Sequence, residues 1–78
     1  MSSHSVTLTW NRDGKEFGYK EYSRDHDLDF GHGVHMRASA AADYLGTAEI
    51  PDPEQAFVAS LSSCHMLTFL ALASLQNL

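Results

Sequence analysis

The residue with the most distinctive chemistry in this sequence is Cys64, the only cysteine of the chain. It lies within Ser60–Leu75, an apolar stretch with the sequence SLSSCHMLTFLALASL. A thiol reacts as a thiolate, which forms near neutral pH only when a cation or a base lies close by. A single cysteine excludes an internal disulfide and a zinc site built from several cysteines. A free thiol is typical of a protein that works in a reducing compartment.

The helix that this stretch predicts carries no obvious activator for the thiol. His65 is adjacent to Cys64, but consecutive residues of a helix point about 100° apart. The positions on the same face as Cys64 hold no cation; they are Ser60, Leu61, Leu67 and Thr68. An activating group must therefore come from outside the helix, from an arginine or a histidine. The alternative is that Cys64 is a small buried packing residue.

Two clusters suggest metal binding, and their spacing argues against it. His32 and His35 are three residues apart, and in a strand such side chains point to opposite faces. Asp25, Asp27 and Asp29 lack the glycine and the terminal glutamate of a calcium-binding loop. We therefore expect surface histidines, a solvated acidic loop, and neither a metal ion nor a cofactor. A module that binds a small ligand or a metal through the cysteine and the histidines stays open as an alternative.

Three predicted strands precede the helix and form an antiparallel meander. Residues 5–10 alternate apolar and polar side chains, and residues 16–22 resume that alternation after the turn Asn11–Gly14. The Asp-Gly pair in this turn is a strong signal for a hairpin. Residues 23–30 are polar and predict a loop, and residues 33–38 predict the third strand. Strands followed by a helix predict an α+β fold.

The start of the helix is the clearest local signal in the sequence. Asp52 is a candidate N-cap, Pro53 suits the first helical position, and Gln55 completes a capping box. The helix is predicted over residues 53–76. Between Met66 and Leu72 it is apolar on nearly every side, which is typical of a helix that is buried all round. Because a three-stranded sheet covers only one side of a helix, a second chain or a continuation must supply the rest.

The composition is that of one small soluble domain, residues 1–78. Hydrophobic residues make up 44% of the chain, which is ordinary for a globular protein. The net charge of -5 argues against nucleic acid as a partner, since phosphates require a basic surface. We expect no secretory signal, because the first residues contain no apolar core. The apolar run near the C-terminus is expected to be too short for a membrane span, so no membrane partner and a cytoplasmic location are predicted.

The helix and the residues before it, PDPEQAFVASLSSCHMLTFLALA, closely resemble the signature helix of the OsmC/Ohr family of thiol peroxidases. Members carry an Asn/Asp-Pro-Glu motif ten residues before a cysteine, and here Glu54 stands ten residues before Cys64. The Cys-His-Met-Leu run, together with YSRDHDLDF and RASAAADYLG, is similar to the OsmC-like branch. The resemblance spans essentially the whole chain but only the N-terminal half of the family's usual length. It implies a fold completed by an intertwined homodimer, with the site at the interface.

The resemblance also implies roles for three residues. Cys64 matches the peroxidatic cysteine, and Arg24 best matches the arginine that keeps this thiol ionised. Arg12 is a competing choice, although it lies in the first turn, where the family's arginine does not. Glu54 matches the glutamate that holds the arginine. Its alternative role is to stabilise the positive end of the helix.

Two histidines are candidates for the surrounding pocket. His26 lies near Arg24 in the sequence, and His65 follows the cysteine. Each has an alternative role, since His26 suits a solvated loop and His65 suits a core or interface position. In an ideal helix Glu54 and Cys64 are separated by about 15 Å of rise and about 80° of rotation. We therefore expect a long arginine, a bend in the helix or a dimer mate to connect them.

The implied function is thiol-dependent reduction of hydroperoxides, with organic peroxides as substrates, in defence against oxidative stress. The thiolate attacks the O–O bond and becomes a sulfenic acid. The family's resolving cysteine lies in the C-terminal half, so turnover by this chain would need an external thiol reductant. The competing hypothesis is a truncated, catalytically inactive fragment that acts as a structural and dimerisation unit.

Overall fold

Three short strands and one long helix form the protein, as seen in a computed structural model that describes residues 2–77. The elements are β1 (Thr7–Thr9), β2 (His26–Gly31), β3 (Val34–Ala38), a 3-10 turn (Ala42–Tyr44) and α1 (Pro53–Leu75). The strands pair antiparallel in the order β1–β2–β3, and α1 follows them. The α+β class and the antiparallel sheet ahead of a long helix are confirmed.

The second predicted strand is wrong. Residues 16–22 contain turns and bends, and the strand that pairs with β1 is β2, within the segment predicted to be a loop. Leu8 lies opposite Leu28 in this pairing. The alternation in β2 is hidden because Asp27 and Asp29 occupy every second position, and aspartate is rare in strands. The strand forms because its apolar side chains join one face of the sheet while the carboxylates face the other.

The predicted turn at Asn11–Gly14 is present, but it begins a loop instead of a hairpin. Asp13 and Gly14 have positive φ angles of 56° and 71°, and the Lys15 N–H donates to the Arg12 carbonyl at 3.1 Å. This is the geometry that an Asp-Gly pair favours. The residues that follow place their aromatic rings against the tryptophan that comes after β1, instead of extending as a strand.

The sheet has one apolar face and one polar face. Leu8, Leu28 and Met36 lie side by side across the three strands and mark the apolar face, which α1 approaches. On the polar face, His35 Nδ1 lies 2.8 Å from Asp27 Oδ2, and this hydrogen bond raises the pKa of His35 above 6.5. Since strand side chains alternate, the charged residues of β2 and β3 all belong to the solvent side.

One partly buried hydrogen-bond network joins the sheet to the segment that leads into α1. The hydroxyls of Ser39 and Thr47 both donate to Asp25 Oδ1, at 2.8 and 2.7 Å. The Thr47 N–H donates to Ser39 Oγ at 3.1 Å, and the Ser39 N–H donates to the Pro51 carbonyl at 2.9 Å. Within residues 2–77, only Ser39 and Ala38 are buried. We call Asp25, Ser39 and Thr47 the Asp25 junction.

The connection from β3 to α1 is packed tightly enough to require a glycine. Leu45 has a left-handed backbone with φ 67°, and the Gly46 N–H donates to the Ala41 carbonyl at 3.1 Å. A Cβ atom at Gly46 would overlap the carbonyl group of Ala40. Any other residue here would force the backbone to move.

The predicted start of α1 is confirmed. The Asp52 side chain accepts a hydrogen bond from the Gln55 N–H at 2.8 Å, and the Gln55 side chain accepts one from the Asp52 N–H at 3.0 Å. Pro53 follows at the first helical position. The helix then runs without a break for 23 residues to Leu75, one residue short of the predicted end.

The apolar surface of α1 is uncovered within residues 2–77. None of its described residues is buried, and Phe69 has 61% of its surface exposed. The chain exposes 6602 Å², against about 4,700 Å² for a compact monomer of 8.6 kDa. Its radius of gyration is 17.2 Å, against about 11.5 Å for a compact domain of this length. The small sheet therefore leaves most of the helix surface open, as the sequence predicts.

Helix α1 is long and apolar enough to cross a membrane, with a mean hydropathy of 1.7 over its most apolar window. Length alone therefore does not exclude a span, contrary to the expectation from the sequence. The core helices of soluble proteins meet the same criterion, so it is weak support for a membrane location.

The Asp25 junction predicts a loss of stability in acid. The hydrogen bond from Thr47 is the main cause that lowers the pKa of Asp25 below its ordinary value of 3.8, and the bond from Ser39 adds to it. A carboxylate with a depressed folded pKa stabilises the fold above the unfolded value, and this contribution is lost as the pH falls through the folded pKa. Urea unfolding should therefore show a stability that decreases below about pH 4.

Removal of the Thr47 hydroxyl tests this source of stability. Thr47→Val should lower the free energy of unfolding by about 1 kcal/mol at neutral pH, and should flatten its decrease in acid. Thr7→Val is the matched control, because Thr7 is exposed on β1 and outside the junction. If the free energy of unfolding fell equally in acid for Thr47→Val and for the unchanged protein, the Thr47 hydroxyl would not be the source of the acid dependence.

Candidate functional site

Cys64 lies near the middle of α1, and its thiol is exposed. The side of the helix that faces the sheet carries Ala56, Ala59, Ser60 and Ser63. Cys64 follows Ser63 directly, so it points about 100° away from that side chain and lies beside the sheet-facing surface. The alternative of a buried packing thiol is not realised within residues 2–77, where the sulfur is open to a small molecule.

An open groove separates the sheet from the first half of α1. Its volume is about 620 Å³, and its sheet wall is apolar, with Val6, Leu28, Phe30 and Met36. The helix wall consists mainly of alanine and serine, whose small side chains keep the groove wide. We call this space the sheet–helix groove. This groove offers an apolar surface, and it lies next to the face of α1 that carries the Cys64 thiol.

Arg24 is held by the loop that precedes β2. Its Nη1 donates to the Tyr22 carbonyl at 2.7 Å, and its Nη2 donates to the Tyr19 carbonyl. The guanidinium carbon lies 3.6 Å from the centre of the Tyr22 ring and 5.0 Å from the centre of the Tyr19 ring. The hydrogen bonds described for Arg24 all stay inside this loop, and none reaches the thiol.

An aromatic cluster surrounds this arginine, and the sequence does not predict it. The ring centres of Phe17 and Tyr22 are 5.1 Å apart, and each lies 6.1 Å from the centre of Trp10. The Trp10 Nε1–H donates to the Ser23 carbonyl at 2.8 Å. Trp10, Phe17 and Tyr22, here called the aromatic cluster, line a pocket of about 350 Å³ together with Arg24. The sequence feature that could have indicated this cluster is the number of aromatic residues just before Arg24.

Arg12, the competing arginine, occupies the other side of the same loop. Its Nε donates to the Lys15 carbonyl at 2.6 Å, and its guanidinium carbon lies 5.5 Å from the centre of the Phe17 ring. Both arginines therefore contact aromatic rings. Of the two, Arg24 is the one that lines the apolar pocket.

Glu54 and Cys64 lie too far apart to meet within one chain. Because α1 is continuous, they are separated by about 15 Å along the axis and about 80° around it. Glu54 and His65 are eleven residues apart, which is about three full turns of the helix, so they share one side of α1. That side points away from the sheet. Glu54 is exposed in the first turn, where its charge suits the helix dipole. The described chain thus does not bring Cys64, Arg24 and Glu54 together.

The two candidate histidines occupy different environments. His26 starts β2, its Nδ1–H donates to the Arg24 carbonyl at 2.9 Å, and its side chain lines the aromatic pocket. His65 is exposed on α1. Only His26 is therefore near the candidate arginine. Among residues 2–77, no group of three or more metal-binding side chains is arranged to hold an ion.

Comparison with known proteins places this geometry in a known fold. No model of a protein family and no curated protein matches the chain. Among solved structures, the chain is similar to an OsmC-like protein of unknown function from Vibrio cholerae, with 46% identity and a TM-score of 0.88. The match covers 97% of this chain and 53% of that protein. The chain has an OsmC-like fold.

The OsmC-like fold confirms the part of the sequence resemblance that concerns architecture. Because the match covers 97% of this chain, the sheet, the aromatic cluster and α1 belong to the shared region. The chain spans about half the length of the matched protein. The exposed apolar surface of α1 is therefore seen in a chain that aligns with only about half of the matched protein.

The aromatic cluster can be tested through Trp10, the only tryptophan of the chain. Phe17→Ala removes one ring of the cluster, so Trp10 should meet more water and its emission should move to longer wavelength. The free energy of unfolding should fall by about 1 kcal/mol, as for other aromatic pairs. Tyr44→Ala, which removes an exposed ring outside the cluster, should leave the emission unchanged. Identical emission from Phe17→Ala and the unchanged protein would argue against the cluster.

Proposed function

We propose that this chain acts in a cysteine-dependent peroxidase that reduces organic hydroperoxides, with Cys64 as the nucleophile. The observation that carries the proposal is an exposed thiol on the long apolar helix of an OsmC-like fold. The matched protein is itself of unknown function, so the reaction is inferred from the chemistry of the residues. The expected setting is defence against oxidative stress in the cytoplasm.

The chemical step needs a thiolate, a peroxide and a proton. The Cys64 sulfur attacks the terminal oxygen of the hydroperoxide, so an S–O bond forms while the O–O bond breaks. Two electrons pass from sulfur to the peroxide, and the leaving alkoxide takes up a proton to become an alcohol. The cysteine is left as a sulfenic acid.

Arg24 supplies the positive charge that this step requires. A guanidinium is always protonated and presents five N–H groups in a planar fork, so it can hold a thiolate and a carboxylate together. It can also stabilise the charge that develops on the leaving oxygen. Glu54 is the proposed carboxylate partner that orients it. The apolar pocket at Arg24 and the sheet–helix groove both suit the hydrocarbon part of an organic peroxide.

A homodimer is the proposed means of assembling these groups. The chain exposes about 1,900 Å² more surface than a compact monomer of its mass, which is the scale of an obligate interface. Glu54 lies on the side of α1 away from the sheet, whereas Arg24 lies at the sheet. In an intertwined dimer, a second copy of α1 can bring a thiol or a carboxylate to the arginine of its mate.

An external thiol is the proposed reductant. The chain holds no second cysteine, so the sulfenic acid has no internal partner. One external thiol condenses with it to form a mixed disulfide and water, and a second thiol releases Cys64 as an external disulfide forms. The two electrons of the reaction therefore come from two external thiols.

A structural unit without catalytic activity is the second candidate. It is favoured by one observation, that the hydrogen bonds described for Arg24 remain within its own loop and none reaches Cys64. Such a unit would fold and associate through α1 without consuming peroxide. Turnover that depends on Cys64 separates the two candidates.

Peroxide consumption tests the catalytic roles directly. With a small dithiol as reductant and tert-butyl hydroperoxide as substrate, Cys64→Ser should abolish turnover. Arg24→Ala should lower kcat/KM by about 100-fold, the cost of losing a charge-stabilising donor. Arg12→Ala is the matched control and should retain most of the activity. Turnover that survives in Cys64→Ser would exclude the peroxidase, and loss in Arg12→Ala alone would transfer the role to that arginine.

Molar mass in solution tests the dimer. Sedimentation equilibrium should give twice the chain mass of 8.6 kDa. Phe69→Glu places a charge on the exposed apolar surface of α1 and should shift the equilibrium toward monomer, because burial of an unpaired charge is costly. Tyr44→Glu changes an equally exposed ring outside α1 and should not. A stable monomer of the unchanged protein would contradict the proposed interface.

A further inference from the structure

We propose that Tyr22 is a positioning residue that fixes the orientation of the Arg24 guanidinium. The benefit to catalysis rests on the proposed function, in which Arg24 serves the thiol of Cys64. The contact between Tyr22 and Arg24 lies within the loop before β2, and it can be measured without reference to activity.

Four contacts hold the guanidinium, and Tyr22 supplies two of them, including the closer of the two rings. The Tyr22 carbonyl accepts from Arg24 Nη1 at 2.7 Å, and its ring centre lies 3.6 Å from the guanidinium carbon. Tyr19 supplies the other two, since its carbonyl accepts from Nη2 and its ring centre lies 5.0 Å from the guanidinium carbon. Both terminal nitrogens and one face of the planar group are therefore engaged. A cation over an aromatic face is attracted to it, and the attraction grows as water is excluded.

The Tyr22 ring is itself held in place by the aromatic cluster. It meets Trp10 edge-on at 6.1 Å and Phe17 at 5.1 Å between ring centres. The Trp10 indole in turn donates to the carbonyl of Ser23, the next residue in the chain. The ring thus contacts both other members of the cluster as well as Arg24. A ring fixed in this way orders a long side chain that would otherwise sample many rotamers.

The guanidinium keeps donors for a reaction partner. Of the five N–H groups of an arginine, the described hydrogen bonds use two, one on each terminal nitrogen. Three N–H groups remain for a thiolate, a carboxylate or a leaving oxygen. The pocket of about 350 Å³ that Arg24 and Tyr22 line gives a ligand access to this group. Tyr22 therefore restricts the orientation of the guanidinium and leaves three of its N–H groups available to a reaction partner.

A spectroscopic experiment on the full chain tests the contact without reference to activity. The Nε–H resonance of Arg24 is assigned by its loss in Arg24→Lys, and its position reports the nearby ring. Tyr22→Leu should move this resonance, whereas Tyr22→Phe, which keeps the ring, should leave it close to its original position. Tyr44→Leu is the matched control, because Tyr44 is exposed in the 3-10 turn and far from the cluster in sequence.

A kinetic experiment on the same variants tests the consequence for the thiol. Tyr22→Leu should lower kcat/KM for tert-butyl hydroperoxide by about 3- to 10-fold, as expected for one lost cation–π contact. The pH profile for alkylation of Cys64 by iodoacetamide should move to higher pH in the same variant. Tyr22→Phe should restore both. A loss of stability alone would not move the pH profile.

The outcomes separate the contact from the proposed function. An Arg24 resonance that does not move in Tyr22→Leu overturns the proposal, as does a Tyr44→Leu variant with the same effects. Should Tyr22→Leu fail to fold by circular dichroism, Tyr19→Leu removes the ring at 5.0 Å and should give a smaller shift of the resonance. No shift in a folded Tyr19→Leu then overturns the proposal. A resonance that moves while Arg24→Ala keeps full turnover supports the contact and overturns the catalytic role of Arg24.

Discussion

Asp25 Oδ1 accepts hydroxyl hydrogen bonds from Ser39 and Thr47 just before β2 begins, where β3 ends and the chain turns toward α1. Little apolar area is buried within residues 2–77, and this polar network links the sheet to the segment that leads into the helix. It also lies one residue after Arg24. The loop that carries the arginine and the segment that carries the helix are therefore tied to the same carboxylate. Networks in which every polar group is paired favour one arrangement of the backbone, and in this one Ser39 is buried while Asp25 and Thr47 are partly exposed.

The surface of α1 imposes the second constraint. Most helices in water depend on packing of an apolar face for their stability, and this helix is apolar on nearly every side between Met66 and Leu72, with none of its described residues buried. The same helix carries Glu54 and Cys64 about 15 Å apart along its axis. In the proposed dimer, the association that covers the helix would also complete the site. Such an association would stabilise α1 and bring a charged partner to the thiol at once.

The features that could be predicted from the sequence are the local ones. Asp52, Pro53 and Gln55 determine the start of α1 through bonds within one turn, and the Asp13–Gly14 turn depends on two backbone angles. The strand β2 was missed because its pairing with β1 spans a long loop. The aromatic cluster was missed for the same reason, since its rings meet only when that loop folds. The described residues of one chain do not bring Cys64 and Arg24 together, so no local pattern predicts their arrangement.

The open surface of α1 also affects how stability should be measured. If a separate partner chain covers this helix, it binds the folded chain and not the unfolded one, so mass action adds a term that grows with the logarithm of the partner's concentration. Folding and association then form a single equilibrium, without one melting temperature for the chain alone. If the partner is a second copy, dilution weakens the fold itself. In that case the fold is maintained by the amount of protein present as well as by its sequence.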